Sequence, residues 1–367
     1  MKGWRLTWRR TAARLALTAL IAARLALTAL IGTGMGAAGP LHAAPLQGYG
    51  ADPAQTSVSG LSSGAFMAAQ FDVAWSTHLI GAGIVAGGPF YCAGLFPLVS
   101  PATAAQTHCM NPLGDTGPRA QDALRAAQRF ADEKRIDDVR GLAAQRVYVF
   151  SGSSDRTVTT RVVAQVPRFY QLAGTPDSQI RYVNNVAAGH ALITDNKADT
   201  ACGLSQPPFI NNCGFEQSRD ILRWIYGDLK APAATAPPDH LLSFDQRAFD
   251  PDGSASLGST GFVYVPAACT QAGAACRIHV AFHGCLQSAE KIGERYASST
   301  GYNELAETNR IIVLYPQAGA SAKNPLGCWD FWGYTSKDPM KPDFYSRQAP
   351  QIAAVMRMVK RLSDPRQ

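Results

Sequence analysis

Residues 56–75 read TSVSGLSSGAFMAAQFDVAW, and this stretch decides the fold. An extended segment, Thr56–Ser59, runs into Gly60-Leu61-Ser62-Ser63-Gly64, and a helix-like run, Ala65–Trp75, follows. A G-x-S-x-G pentapeptide between a strand and a helix forces a sharp turn. Its central serine is held in a strained conformation, and the glycines stand where a Cβ would collide. Ser62 Oγ is thereby lifted clear of the sheet edge. The Ser63 amide, at a helix N-terminus, points where negative charge would develop. Gly and Ser gather in many loops, so the pentapeptide gains its meaning from the strand and helix around it.

Working outward, further short apolar runs read as strands. They are His78–Ala86, Arg146–Phe150, Gln179–Val183, Gly261–Val265, Arg277–Phe282 and Arg310–Tyr315. Helical patterns lie between them at Ala120–Glu133, Arg219–Tyr226 and Gln351–Leu362. Buried runs alternating with amphipathic helices predict an α/β fold with a mostly parallel sheet flanked by helices. A Pro/Ala connector, KAPAATAPPD, occupies Lys230–Asp239.

A serine nucleophile needs a histidine base and a carboxylate to orient it. Asp155 follows the strand Arg146–Phe150, and His190, in Ala188-Gly189-His190, comes soon after the strand ending at Val183. The chain order Ser, Asp, His is that of the α/β-hydrolase arrangement. The rival acids Asp137, Asp138 and Asp195 read as solvated loop charges. His78, His108 and His240 sit in no motif, and His279, inside a strand, reads as a satisfied sheet-face histidine. His283 opens His283-Gly284-Cys285 directly after Arg277–Phe282, where a second oxyanion arm belongs; the Cys285 amide would be its donor, with Gly284 allowing close approach. His283 as base is rejected on chain order.

In the usual order, the oxyanion strand precedes the nucleophile elbow. Here it follows, which predicts a circularly permuted α/β-hydrolase fold. The C-terminal part supplies the leading strands, and the connector 230–239 joins the old ends inside one catalytic domain, 44–367.

Charge and cysteines set the context. The chain has 34 Lys/Arg and 27 Asp/Glu among 367 residues, a formal +7. Six of the basic residues (Lys2, Arg5, Arg9, Arg10, Arg14, Arg24) fall in 1–43, which hold no acid, leaving 28 bases against 27 acids. A near-neutral body carries no electrostatic footprint for nucleic acid. Residues 1–43 have the layout of a secretory signal: basic residues, an apolar run and a small-residue finish. A ten-residue repeat, AARLALTALI at Ala12–Ile21 and again at Ala22–Ile31, lengthens the apolar run. An uncleaved anchor is the competing reading; Arg24 and the small-residue finish argue for cleavage after Ala43 or Ala44 and against lasting membrane association. Export makes the eight Cys disulfides rather than zinc ligands. Proximity alone couples Cys92/Cys109, Cys202/Cys213 and Cys269/Cys276, with Cys285 and Cys328 left over.

Taken together, Gly60–Gly64, Ser154-Asp155-Arg156-Thr157-Val158, Gly189-His190, His283-Gly284-Cys285-Leu286-Gln287 and Cys328-Trp329-Asp330-Phe331-Trp332-Gly333 resemble the poly(3-hydroxybutyrate) depolymerases of the circularly permuted, single-domain type. The resemblance implies a Ser62, Asp155, His190 triad, with the Ser63 and Cys285 amides as oxyanion hole. It also implies a polyester of short hydroxyacids as substrate, water as co-substrate, and neither metal nor organic cofactor. No separate polymer-binding domain is expected, so adsorption would use the catalytic body's own surface. Trp329 and Trp332 are expected as the apolar lip of the groove, with core packing as the alternative. A Cys285–Cys328 bridge would hold their loop against the oxyanion arm. A feruloyl- or acetyl-type esterase on the same scaffold, or a non-catalytic polymer-binding protein, are the competing functions.

Overall fold

In the computed structural model, which describes residues 43–271, 273–338 and 341–366, the apolar runs become one eight-stranded sheet. Apart from its last residue, the expected leader 1–43 lies outside the described residues. In chain order the strands are β1 (Thr56–Leu61), β2 (Leu79–Val85), β3 (Arg146–Phe150), β4 (Ile180–Val183), the short β5 (Leu192–Thr194), β6 (Thr200–Ala201) and β7 (Ile210–Asn212), then β8 (Leu241–Asp245), β9 (Thr260–Tyr264), β10 (Arg277–Phe282) and β11 (Ile311–Tyr315). The principal helices are α1 (Ser63–Ala74), α2 (Ala120–Asp132), α3 (Gln165–Leu172), α4 (Gln217–Tyr226), α5 (Tyr302–Asn309) and α6 (Pro350–Ser363). The large sheet has the order β4-β3-β2-β1-β10-β11-β9-β8, while β5, β7 and β6 form a separate small sheet. Only β9 runs against its neighbours β11 and β8; the other neighbouring pairs are parallel.

Every strand expected in the large sheet is present, within two residues of its expected ends. Strand β8, the small sheet β5-β7-β6 and several short helices, α3 and α5 among them, were not anticipated. Strand β8 is an edge strand with Leu242 and Ser243 exposed and only Phe244 buried, so its sequence lacks a clear apolar period. Helices α3 and α5 are short, and the sequence was not read as helical there.

The topology is that of a permuted chain. β10 pairs with β1 in parallel, Thr56↔Ile278 through Gly60↔Phe282, although the paired Ser57 and His279 are 222 residues apart. At the other end, Tyr49 N–H and Ala51 N–H donate to Leu362 O (3.0 and 3.2 Å), and Gly50 N–H to Asp364 O (2.8 Å). The end of α6 therefore lies beside the residues that enter β1, where an unpermuted chain would simply continue. The connector after α4 runs along α5 instead: Lys230 N–H donates to Asn309 Oδ1 and Ala233 N–H to Glu304 O. From β1 the chain proceeds to β2 on one side, and from β10 to β11 on the other. Such a divergence opens a crevice at the carboxyl ends of the two strands.

Alternate residues of each strand feed two cores, as a period of two demands. On β11, Ile312 and Leu314 join the layer containing α1 and α6, while Ile311, Val313 and Tyr315 join the layer containing α4 and α5. Between β1 and β10, the fully buried His279 bonds Ser57 Oγ through Nδ1 and Ser59 Oγ through Nε2, both at 2.7 Å. Burial pulls its pKa down to about 3, so it is a neutral sheet-face histidine. On α1, Asp72 is also fully buried. It accepts from Tyr170 OH at 2.6 Å. Its other oxygen, like the neighbouring Gln145 Oε1, has no hydrogen-bond partner among the described residues. Burial pushes Asp72 up to about 7, opposed by its Tyr170 and Gln145 neighbours.

Candidate active site

The turn from β1 into α1 is strained at one residue. Ser62 has φ 57° and ψ −122°, in the region that L residues rarely adopt. Its N–H donates to Val85 O at 3.0 Å, and its carbonyl starts α1 by accepting from Ala65 and Phe66. The flanking glycines are steric necessities. A Cβ on Gly60 would lie 2.3 Å from Gly64 O, and one on Gly64 would lie 2.3 Å from His283 O. The helix can approach β1 and β10 this closely only without those side chains. Ser63 is the first residue of α1, so its N–H has no acceptor within the helix.

Asp155 and His190 reach the same region from loops after β3 and β4. His190 Nδ1 donates to Asp155 Oδ2 at 2.8 Å, and both side chains are buried. The remaining oxygen, Asp155 Oδ1, accepts from the amides of Thr157 (2.7 Å) and Val158 (3.0 Å). The carboxylate is thus anchored by its own loop before it meets the imidazole. His190 N–H donates to Ser205 Oγ at 2.8 Å. Two close approaches set these loops: a Cβ on Gly152 would strike Ala188 O, and one on Gly189 would strike Leu204 O. With Nδ1 donating to the carboxylate, the neutral ring leaves Nε2 unprotonated and able to take a proton.

Ser62 and His190 line one cavity of about 270 Å³, together with Met110, Thr157, Ser205, Phe209, Leu286, Leu326 and the Gly284-Cys285 peptide among others. Its apolar walls are thus Leu61, Met110, Phe209, Leu286 and Leu326. Among the described residues, no group of three or more His, Cys, Asp and Glu is placed to hold a metal ion.

His283 is not a base. It is fully buried, its Nε2 accepts from Ala318 N–H (3.1 Å), and its Nδ1 faces Gly284 O at 2.7 Å. Because Nε2 accepts, the proton resides on Nδ1 and donates to Gly284 O. Burial pulls its pKa down to about 4, with the Gly284 bond opposing. The ring is a neutral brace for the turn. Gln287 braces the same turn: its Oε1 accepts from Gly284 N–H at 2.6 Å, and its Nε2 donates to Pro208 O and Phe209 O (2.7 and 3.1 Å). The Gly284 amide is occupied in this way, and the next residue, Cys285, lines the cavity.

Trp329 differs from the expectation. Trp329 is completely buried in the core, against Phe282 and His283, and does not line the cavity. Trp332 is half-buried, packed on Phe331 and Tyr334, and is likewise absent from the cavity wall. The reason is Asp330, whose buried carboxylate collects the amides of Trp332, Gly333, Tyr334 and Thr335 and the Thr335 hydroxyl. That hub folds the loop inward. Asp137 also departs from expectation: it is buried and paired with His78 and Arg347 rather than solvated. Of the cavity walls, Met110, Phe209 and Leu326 escaped the sequence reading, since isolated loop hydrophobes carry no motif. Gln287 lay inside a quoted motif, and its only signal was position.

Four disulfides close the described chain: Cys92–Cys109, Cys202–Cys213, Cys269–Cys276 and Cys285–Cys328. The first three are the couples that proximity suggested and the fourth joins the two cysteines left over; such bridges are typical of an oxidising compartment. No helix among the described residues is long and apolar enough to cross a membrane.

No family model matches the chain. Whole-chain comparison does find relatives. The chain is 38% identical over 330 residues to a poly(3-hydroxybutyrate) depolymerase of Delftia acidovorans, covering 89% of this chain and 63% of that protein. It is 36% identical over 325 residues to a polyhydroxybutyrate depolymerase of Talaromyces funiculosus, covering 84% of this chain and 88% of that one. The chain therefore spans somewhat less than two thirds of the bacterial relative's length. Among solved structures, it is similar to the PHB depolymerase from Penicillium funiculosum, with TM-score 0.75, 33% identity, and coverage of 87% of this chain and 98% of that one. A PHB depolymerase Ser-to-Ala variant complexed with an R3HB trimer matches equally well in fold, at TM-score 0.75 and 32% identity. Permuted sheet, strained serine turn and sequence similarity over most of the chain agree: this chain belongs to the polyhydroxybutyrate depolymerase family.

Proposed function

We propose that this chain is an exported serine esterase that hydrolyses poly(3-hydroxybutyrate) or its oligomers through an acyl-enzyme on Ser62. The observation that carries the reading is His190, bonded through Nδ1 to Asp155 and lining one cavity with the strained Ser62. His190 Nε2 takes the Ser62 proton as Oγ attacks the ester carbonyl. The amides of Ser63 and Cys285 receive the oxyanion, and preorganised donors of this kind are worth about 10²–10³-fold in rate each. His190 then protonates the departing hydroxyl of the downstream unit. In the second half, water gives its proton to His190 and attacks the acyl carbon, which releases a hydroxyacid and restores Ser62.

Supporting the polyester assignment, the cavity walls are largely apolar where a methyl-bearing ester chain would lie, with Thr157, Ser205 and Gln287 as polar exceptions beside Ser62 and His190. Leu326, 47% exposed, lies on that wall and offers apolar contact at its rim. A similar protein holds an R3HB trimer. Residues 44–367 act as one catalytic domain, with the connector 230–239 inside it and residues 1–43 removed on export.

The test is a side-by-side assay of amorphous poly(3-hydroxybutyrate), a feruloyl ester and a short p-nitrophenyl ester, on the parent and on Ser62→Ala. The polymer should be cleaved by the parent and untouched by the variant. Preference for the feruloyl ester would overturn the substrate, and wild-type turnover by folded Ser62→Ala would overturn the site.

A further inference from the structure

We propose that the dipeptide Cys328-Trp329 is a positioning clamp that sets the two oxyanion arms against each other. The inference rests on the reading of the Ser63 and Cys285 amides as oxyanion donors. Those amides come from distant parts of the chain, one opening α1 and the other following β10. The β1–β10 pairing ends at Gly60↔Phe282, so the sheet ladder does not itself reach either donor.

Two adjacent residues of the aromatic loop reach both. Cys328 is bridged to Cys285. The next amide, Trp329 N–H, donates to Ser63 Oγ at 3.2 Å. The Trp329 ring then fills the space behind the second arm, edge-on to Phe282 (4.9 Å) and tilted against His283 (5.6 Å).

A clamp must itself be held, and this one is held on both sides. Cys328 N–H donates to Asn324 Oδ1, while Cys328 O accepts from Asn324 Nδ2 and Tyr334 OH. Asp330 N–H donates to Gln351 Oε1 on α6, and Asp330 O accepts from Gln70 Nε2 on α1. Filling the core would require neither the bridge to Cys285 nor the bond to Ser63. Both attach the loop to the two residues whose amides face the reacting carbonyl. Trp329 thus acts on the site from behind rather than from within the groove.

The experiment uses steady-state kinetics on a short soluble ester, binding of phenylboronic acid as a tetrahedral adduct, and thermal melting. The proteins are the parent, Ser62→Ala, Ser63→Ala, Cys328→Ala and the Ser63→Ala/Cys328→Ala double variant. Misplacing a preorganised donor should cost rate without ground-state binding. Cys328→Ala should lower kcat about tenfold or more and Ser63→Ala severalfold, with KM within about twofold. Phenylboronic acid affinity should fall by the same factors, and the double variant should lose less than the product of the single losses. Folded single variants that keep the parent's kcat and boronate affinity, with only a lower melting temperature, overturn the clamp. If Cys328→Ala does not fold, Ser63→Ala decides alone, since it removes one oxygen atom. Ser62→Ala separates the two claims. If it stays active, the underlying serine reading fails; if it is inactive while the clamp variants match the parent, only the clamp fails.

Discussion

The stretch from β1 to α4 and the stretch from β8 to α6 build the two halves of one sheet, yet they serve the site differently. The first sends two polar side chains to the cavity, Ser62 after β1 and His190 after β4, with Asp155 after β3 bonded to the imidazole. The second turns its polar side chains inward and offers mainly backbone and walls. His283 and Gln287 are consumed by neighbouring peptide groups, and Asp330 spends both carboxylate oxygens on its own loop. Histidine chemistry follows the partner. A carboxylate on Nδ1 leaves His190 ready to take a proton, whereas burial holds His283 neutral and two backbone partners occupy both its nitrogens.

The largest effect should come from breaking the reactive half. His190→Ala should lower kcat by at least about 10⁴-fold with the fold intact, and the Ser62→Ala/His190→Ala double variant should be barely worse than either single. Activity of folded protein, checked by circular dichroism, is the measurement; additive losses would contradict a shared proton transfer.

In the other half the effect should be on stability. Trp329→Ala empties a fully buried site and should cost about 3–5 kcal/mol of unfolding free energy. Chemical denaturation reads this, and an unchanged midpoint would return Trp329 to the groove.

Asp72 sharpens the comparison, because it is scaffold in the reactive half. Its folded pKa of about 7 lies above the ordinary carboxylate value, so the folded state binds the proton more tightly than the unfolded chain. Stability should therefore decline as pH rises from about 4 through 7. Asp72→Asn keeps an acceptor for Tyr170 and gives Gln145 Oε1 a donor. Its advantage over the parent should grow between about pH 5 and 8, by on the order of 2 kcal/mol. An offset that does not change with pH would contradict this.

Leu326→Ala should give the smallest effect. This residue lines the cavity while 47% exposed, so its loss should leave the melting temperature unchanged. Turnover of a hydroxybutyrate trimer should fall severalfold, for roughly 1 kcal/mol of lost contact, and that of a short ester less. Equal losses on both substrates would remove Leu326 from the substrate path.

What was legible in the sequence was local. Gly60–Gly64 had to be a strand-to-helix turn, Asp155 and Gly189-His190 followed recognisable buried strands, and His283-Gly284 ended another. Their chain order even revealed the permutation. Burial of the aromatic loop was not legible, because it depends on Asp330 finding its donors and on Phe282 and His283 arriving from β10. A run of Trp and Phe looks the same as a lip and as a core. The edge strand β8 was missed for the opposite reason, since one buried residue in five leaves no period to read.

The central claim is that Ser62 carries the acyl group. Brief incubation with a hydroxybutyrate trimer, acid quenching and peptide mass spectrometry test it most directly. A hydroxybutyryl or oligomeric ester should map to Ser62 in the parent and be absent from Ser62→Ala. An adduct on Ser63 or elsewhere, or trimer cleavage by folded Ser62→Ala, would contradict the account.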